Sequence, residues 1–262
     1  MTSSTRLPVL FVGHGSPINA IQDNTWSQAF QALGLRLPRA RGILAVSAHW
    51  FVPGTFLTVQ DRPPTIHDFG GFPQALSQVQ YPAPGSPDLA RQVVSLLGEQ
   101  RASLSTTWGL DHGTWSVLRH LRPQADTPVV QLSMDERLGP ADHLAVGRAL
   151  TPLRDQGVLI LGSGNVTHNL PHAFSMMRAG RTDTPAWATR FDDEVARALE
   201  QHDTARLVHV LETDHGRLAH PTWDHYLPLL YAAGAVTGED AVSFPVTGFD
   251  AGSLSMRAAC FG

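Results

Sequence analysis

Short, nearly unbroken apolar runs alternate along the chain with longer stretches in which apolar positions recur every three to four residues. Residues 7–12, 42–47, 128–133 and 158–161 are of the first kind. They are rich in β-branched side chains and read as strands buried on both faces. Residues 25–35, 87–97, 114–121, 141–154 and 186–201 carry the helical period, and 223–233 predict a further helix. Residues 241–246 and 253–261 look like late strands that follow each other with no helix between them, so part of the sheet is expected to be antiparallel. Alternation of strand and helix predicts an α/β sandwich: a central, largely parallel (mixed) sheet flanked by helices, in a single domain over residues 1–262. Two Pro/Gly-rich stretches, 61–73 and 81–87, fit neither period. Loops of this kind, with aromatics and glycines, serve either as active-site lids or as packed surface.

Composition narrows the partners. The chain has 262 residues, 42% of them hydrophobic, enough for a full core. Only 16% are charged and the net charge is −4. A nucleic-acid surface needs a clustered basic footprint, and none is present. Cys260 is the single cysteine, which excludes an internal disulfide and a cysteine-rich zinc site. Residues 1–6 lack the basic start, apolar stretch and small-residue cleavage site of a secretory leader. No apolar run approaches the roughly 18–20 residues of a membrane span. The cytoplasm is the expected location. The unusual count is 13 histidines against 19 lysines plus arginines.

Three of these histidines directly follow apolar strands: Gly13-His14-Gly15, Ala48-His49-Trp50 and, a few residues after 158–161, Thr167-His168-Asn169. In an open α/β sheet, ligands bind beyond the carboxyl ends of the strands. Glycines beside the histidines permit tight turns and close backbone approach. Three distant parts of the chain can thus aim imidazoles into one crevice, and neutral imidazole is the commonest metal ligand. Glycines 162 and 164 could instead cradle a phosphate, but they form no G-x-G-x-x-G fingerprint and no P-loop lysine follows. His112, in Asp111-His112-Gly113-Thr114, opens a helical pattern that Asp111 or Thr114 can cap. It reads either as an acid/base or as a satisfied helix-start histidine. His225 sits early in an apolar helical pattern and reads either as a ligand or as a half-buried core residue. His120, His143, His172, His202, His209, His215 and His220 fall in helices or polar loops and are expected mostly at the surface. His67 lies in the Phe/Gly-rich loop.

Taken together, six segments occur in a telling order: Leu10-Phe11-Val12-Gly13-His14-Gly15-Ser16-Pro17, Val46-Ser47-Ala48-His49-Trp50, Pro64-Thr65-Ile66-His67-Asp68-Phe69-Gly70-Gly71-Phe72-Pro73, Asp111-His112-Gly113, Gly162-Ser163-Gly164-Asn165-Val166-Thr167-His168-Asn169 and Asp224-His225-Tyr226-Leu227-Pro228. In this the chain resembles the class III extradiol ring-cleavage dioxygenases, and within them the 4,5-DOPA extradiol dioxygenase subgroup, from about Leu7 to the C-terminus. The resemblance implies one divalent metal ion per chain, Fe(II) or Zn(II), at one end of the sheet. It implies opening of a DOPA-like catechol by O2 next to the two hydroxyls. Carried over, His14, His49 and His225 are metal ligands, and His168 is an acid/base histidine or a fourth metal contact. His112 is a second active-site histidine.

Many non-haem Fe(II) oxygenases use two histidines and one carboxylate. An all-histidine set leaves the site one unit more positive, a deficit that a doubly deprotonated catechol can fill. The same set suits Zn²⁺, so a zinc-dependent hydrolase and a non-catalytic metal-binding protein stand as alternatives. Trp50, Phe69, Phe72, Trp115 and Tyr226 are candidate walls for an aromatic ring, each equally readable as core.

Overall fold

The four apolar runs become the middle of one sheet. The structure is a computed structural model and describes residues 6–262; residues 1–5, on which the expectation about a leader mostly rests, lie outside the described residues. The strands are β1 (Val9–Gly13), β2 (Gly42–Val52), β3 (Thr55–Thr58), β4 (Ala102–Ser105), β5 (Val129–Asp135), β6 (Val158–Gly164), β7 (Val242–Val246), β8 (Phe249–Asp250), β9 (Leu254–Ser255) and β10 (Ala258–Phe261). The main sheet runs β4-β3-β5-β2-β6-β1-β10-β7. Its centre, β5-β2-β6-β1, is parallel throughout. On one side β3 runs antiparallel to β5. On the other, β10 runs antiparallel to β1 and β7 antiparallel to β10, so the late strands do form an antiparallel margin.

Side chains alternate across the sheet and supply two cores. Val9, Phe11, Leu44, Val46, Val130 and Ile160 face the helices Pro140–Leu150 and Leu227–Gly234. Leu10, Val12, Ile43, Ala45, Val129 and Leu161 face Thr25–Arg36 and His112–Leu121. Being buried on both faces, the central strands have no polar alternation, which is why they read as continuous apolar runs. No helix among the described residues is long and apolar enough to cross a membrane.

Departures from the expected elements have local causes. Helix 141–154 is two helices, Pro140–Leu150 and Pro152–Asp155, because Pro152 has no amide hydrogen to continue the ladder. The helix expected over 223–233 starts only at Leu227, where Pro228 fits the first turn. His225 therefore lies in the turn before the helix, not inside it. Residues 253–261 break into β9, paired with β8, and β10. β2 runs on to Val52, with an irregularity against β5 between Val46 and Phe51. His49 thus comes off an interrupted stretch of strand, not a strand end, and such interruptions re-aim side chains.

Glycines 162 and 164 have a packing role. A Cβ at either would collide with backbone at the start of the helix Leu227–Gly234, at the carbonyls of Pro228 and His225 respectively. Their absence lets that segment lie directly on β6, where Asn165 donates its amide to the His225 carbonyl at 2.8 Å. This close approach, not a phosphate, accounts for the glycines.

Candidate active site

His14 leaves β1, His49 comes from the interrupted part of β2, and His225 is pressed against the end of β6 by the contact just described. One ring nitrogen from each lies within 4.8 Å of the others, close enough to share an ion. Nε2 of His14 and Nε2 of His49 are 3.3 Å apart. His112 opens the helix His112–Leu121, capped by Asp111, whose Oδ1 accepts from the Thr114 amide at 3.1 Å. That helix end sits close because residue 113 is glycine: a Cβ there would meet Ser47 Oγ and, at 2.9 Å, His49 Cδ2.

Two of the three rings have their outer nitrogen hydrogen-bonded, and that of the third faces a carboxylate. Ser163 donates its hydroxyl hydrogen to the Gly113 carbonyl at 2.5 Å, so it accepts from Nδ1–H of His14 at 3.0 Å. Nδ1–H of His225 is engaged by the Asp224 carboxylate. Nδ1 of His49 lies 3.4 Å from Asp68 Oδ2. With hydrogen on Nδ1, Nε2 of His14 and of His225 is left with a bare lone pair, and the carboxylate beside His49 Nδ1 favours the same tautomer there. Asp68 also receives the His112 amide on Oδ1 at 2.9 Å, and its Oδ2 lies 3.0 Å from His112 Nδ1, off the line of a well-aligned hydrogen bond. It is a carboxylate shared between two imidazoles whose ring centres are 3.8 Å apart. Sequence reasoning quoted its motif but passed over Asp68 itself.

His168 occupies a different place. Its ring is stacked on His225, with centres 3.4 Å apart and planes 4° from parallel. It shares a compact donor group with Asp224 and His225, while His49, Asp68 and His112 form another. The five predicted site histidines are therefore brought together, with His14, His49 and His225 at the common centre and His168 and His112 on two flanks.

Burial, followed by repulsion from neighbouring imidazoles, drives the pKa of His14 and His225 well below the ordinary histidine value. Burial and then His112 push His49 the same way, to about 3. His168 falls to about 4, from burial and then His220. Burial alone would raise Asp68, but His112 and His49 outweigh it and hold the carboxyl below its usual range. Burial, reinforced by Asp68, raises Asp111 to about 6. The centre is thus a set of neutral imidazoles with lone pairs facing one another, an arrangement that a cation between them relieves. Zinc–imidazole bonds of about 2.0–2.1 Å in a tetrahedron require N···N edges of roughly 3.3–3.4 Å. The His14–His49 separation meets that requirement, so the residues fit a metal ion.

Above the centre lies a cavity of about 690 Å³. Phe69 and Phe72 line it, as do Trp26, Leu170, Phe174 and Met177, which sequence reasoning missed. Three of the aromatic candidates are core instead. Trp50 stacks on Trp108 at 5.5 Å, Trp115 donates its indole N–H to the Ile66 carbonyl, and Tyr226 is sealed beneath with its hydroxyl on Leu207. His67 stays outside the cavity, bonded through Nε2 to the Val79 carbonyl. His120, His143 and His220 were expected at the surface but are buried, because each has a specific partner: the Asn19 carbonyl, the Tyr231 hydroxyl and the Val166 carbonyl.

Inward-facing imidazole nitrogens at the strand ends of an α/β sheet, beneath an aromatic-walled cavity, define a metal-dependent enzyme centre. The model of the family described as the catalytic LigB subunit of aromatic ring-opening dioxygenase matches residues 9–255. The chain belongs to that family, and it is an aromatic ring-opening dioxygenase of the extradiol kind. It is 48% identical over 261 residues to a 4,5-DOPA dioxygenase extradiol of Escherichia coli K12, covering 97% of this chain and 94% of the relative. With the protein of the same name from Beta vulgaris it shares 38% over 256 residues, covering 94% and 92%. A crystal structure of an uncharacterised Escherichia coli K12 protein superposes with a TM-score of 0.86 at 41% identity, covering 98% of this chain and all of that one. Membership decides against the hydrolase and non-catalytic alternatives.

Proposed function

We propose that the protein opens the ring of a substituted catechol with O2, using one Fe(II) held by His14, His49 and His225, with Zn(II) as an inactive occupant of the same site. DOPA, in the names of the relatives, is the first catechol to try. Residues 1–262 act as one catalytic domain, and the single cysteine suits a cytoplasmic location. The observation that carries the reading is the convergence of one ring nitrogen from each of His14, His49 and His225, with Nδ1 of His14 and His225 hydrogen-bonded behind and that of His49 facing Asp68. When bound, the ion supplies the electron exchange between catechol and O2. The other tasks fall to side chains. Ser163, Asp224 and Asp68 hold the rings in the tautomer that leaves Nε2 free. Phe69 and Phe72 wall the ring and exclude water. His168, neutral near pH 7, takes a proton from a catechol hydroxyl on binding and returns it to the opened product. His112, anchored by Asp68, hydrogen-bonds a substrate oxygen.

Anaerobic loading with Fe(II), then catechol and O2, should give O2 uptake and a yellow ring-opened product. Neither with Fe(II) nor with Zn(II) would sink the proposal. His168→Ala separates the two roles open to that residue. As acid/base, its loss leaves iron bound and lowers ring opening by about 10²–10⁴-fold. A metal-free variant would make it a ligand, and the proton transfer would pass to His112.

A further inference from the structure

The cavity is larger than a bare catechol requires, and the lining of the excess bears on what the substrate carries beyond its ring. Its volume of about 690 Å³ falls within the roughly 300–1,000 Å³ of pockets that enclose drug-sized ligands. Two uncharged walls contribute most of that lining. Leu170, Phe174 and Met177, spaced i, i+4, i+7 on the helix Leu170–Arg178, present one apolar face. Ser16, Asn19, Gln22, Asn24 and Thr25, running from just after β1 into the start of the helix Thr25–Arg36, supply hydroxyl and amide groups.

Apart from the site histidines, one ionisable side chain lines the cavity among the described residues: Asp250, half-buried at the end of β8. Its hairpin spans the two walls. A Cβ on Gly248 would lie 3.0 Å from the Trp26 ring, at the start of the helix Thr25–Arg36, and one on Gly252 would lie 3.5 Å from Met176 Cε, in the helix Leu170–Arg178. Asp250 therefore stands where the polar and apolar walls meet. Its Oδ1 accepts from the Ala251 amide at 2.8 Å and so serves the turn into β9. No arginine or histidine forms an ion pair with this carboxylate among the described residues. A carboxylate beside a ligand cavity, with no cation of its own chain to pair with, is a seat for a cation that the ligand brings.

We infer that Asp250 receives the ammonium group of an aminoalkyl substituent on the catechol, as in a DOPA-type side chain, and so sets a preference for catechols that carry one. A carboxylate on the same side chain turns to the uncharged donors of Gln22 and Thr25 and has its charge balanced by the neighbouring ammonium. A carboxylate without that ammonium meets Asp250 as a like charge, with no arginine in the lining to offset it. The inference rests on the catechol-opening reading above but concerns the substituent, not the ring.

The test uses Fe(II)-loaded enzyme and two pairs of catechols, each differing by the ammonium: DOPA against 3,4-dihydroxyphenylpropanoate, and dopamine against 4-propylcatechol. Calorimetric titration without O2 gives Kd, and turnover with O2 gives kcat/KM. A charge-assisted hydrogen bond to a half-buried carboxylate should favour DOPA over the propanoate by about tenfold in Kd. Dopamine should lead 4-propylcatechol by about threefold, because the propyl group gains from the apolar wall. Asp250→Asn and Asp250→Ser should each lower the DOPA ratio by about fivefold or more, and Asp250→Arg should invert it in favour of the propanoate. A wild type that binds the propanoate as tightly as DOPA overturns the inference, as does a DOPA ratio that none of the three variants moves. The expected Kd ratios with no turnover of any catechol support the inference and overturn the ring-opening reading instead.

Discussion

Two sets of buried histidines lie within this one fold. His143 and His220 are sealed in the interior, and so, nearly, are His14 and His225. Burial lowers the pKa in both sets: His143 and His220 fall to about 4, and His14 and His225 fall well below normal. By burial and titration alone the sets are indistinguishable. The direction of the unoccupied nitrogen separates them. In the core pair, one nitrogen bonds the Tyr231 hydroxyl or the Val166 carbonyl, and the other has no partner among the described residues and belongs to no shared donor group. In the site, the outer nitrogens are tied to Ser163 and Asp224 and the inner ones converge with that of His49. A perturbed histidine is therefore weak evidence of function until the aim of its second nitrogen is known.

The largest expected effect tests that distinction directly. His14→Ala removes one of three converging lone pairs. Stoichiometric metal binding should be lost, with affinity falling by more than the roughly 100-fold upper bound for residues that only support a ligand. His220→Ala should keep its metal and lower stability by about 1–3 kcal/mol, the cost of leaving the Val166 carbonyl unpaired. Metal content by atomic absorption and denaturant midpoints on both variants settle it. A metal-replete His14→Ala, or a metal-free His220→Ala that is still folded, would erase the difference between the two sets.

Acid should expose both sets at once in the metal-free chain. Their folded pKa values lie below the unfolded value of about 6.5, so the unfolded chain binds protons first as pH falls. The stability they contribute is whole above about pH 6.5 and is lost progressively towards pH 4. For His143 and His220 the loss approaches about 3 kcal/mol each at full titration. Asp111, raised to about 6, works the other way and offsets part of the slope. With metal bound, the site histidines take up protons only as the ion leaves, whereas the core pair titrates regardless. The difference between loaded and metal-free curves thus isolates the site. Coincident curves from pH 7.5 to 4.5 at saturating metal would mean that no histidine of the centre holds the ion.

How far these features were legible in the sequence depends on how local their causes are. The central strands and the helices Thr25–Arg36 and Pro87–Leu97 follow from period alone, because each buries a face set by its own residues. His14 and His168 were legible as strand-end residues, and Asp111 as the cap before His112. His143 could have been placed inside: it shares a helical stripe with Gly147 and Leu150, both buried. Its surface reading gave a titratable side chain too much weight over its period. The orienting role of Ser163 depends on the carbonyl of Gly113, 50 residues away, and no spacing rule encodes that. Nor does any encode Phe174 and Met177, whose helix looks like an ordinary exposed one until a cavity lies beside it.

Asp68 gives the sharpest remaining test of how the site differs from the core, because it touches the outer side of His49 and not the point where the imidazoles converge. Its Oδ1 accepts from the His112 amide, and Oδ2 faces Nδ1 of both His49 and His112. Asp68→Asn keeps the shape and can keep the amide contact through its carbonyl. The NH2 that replaces Oδ2 then offers hydrogens where Nδ1–H groups need an acceptor. His49 is driven to carry its hydrogen on Nε2, the nitrogen that faces His14, and its inward lone pair is lost. The substitution also removes one negative charge beside His49 and His112, but none of the three converging nitrogens is deleted. Even so, metal affinity or ring opening should fall about 10–100-fold, the usual cost of removing a ligand's orienting partner. The matching change in the core, Tyr231→Phe, removes the partner of His143 and should leave metal affinity untouched. Metal titration of the two variants makes the comparison. An Asp68→Asn protein that binds metal and opens catechol like the wild type would show that His49 holds its tautomer without help.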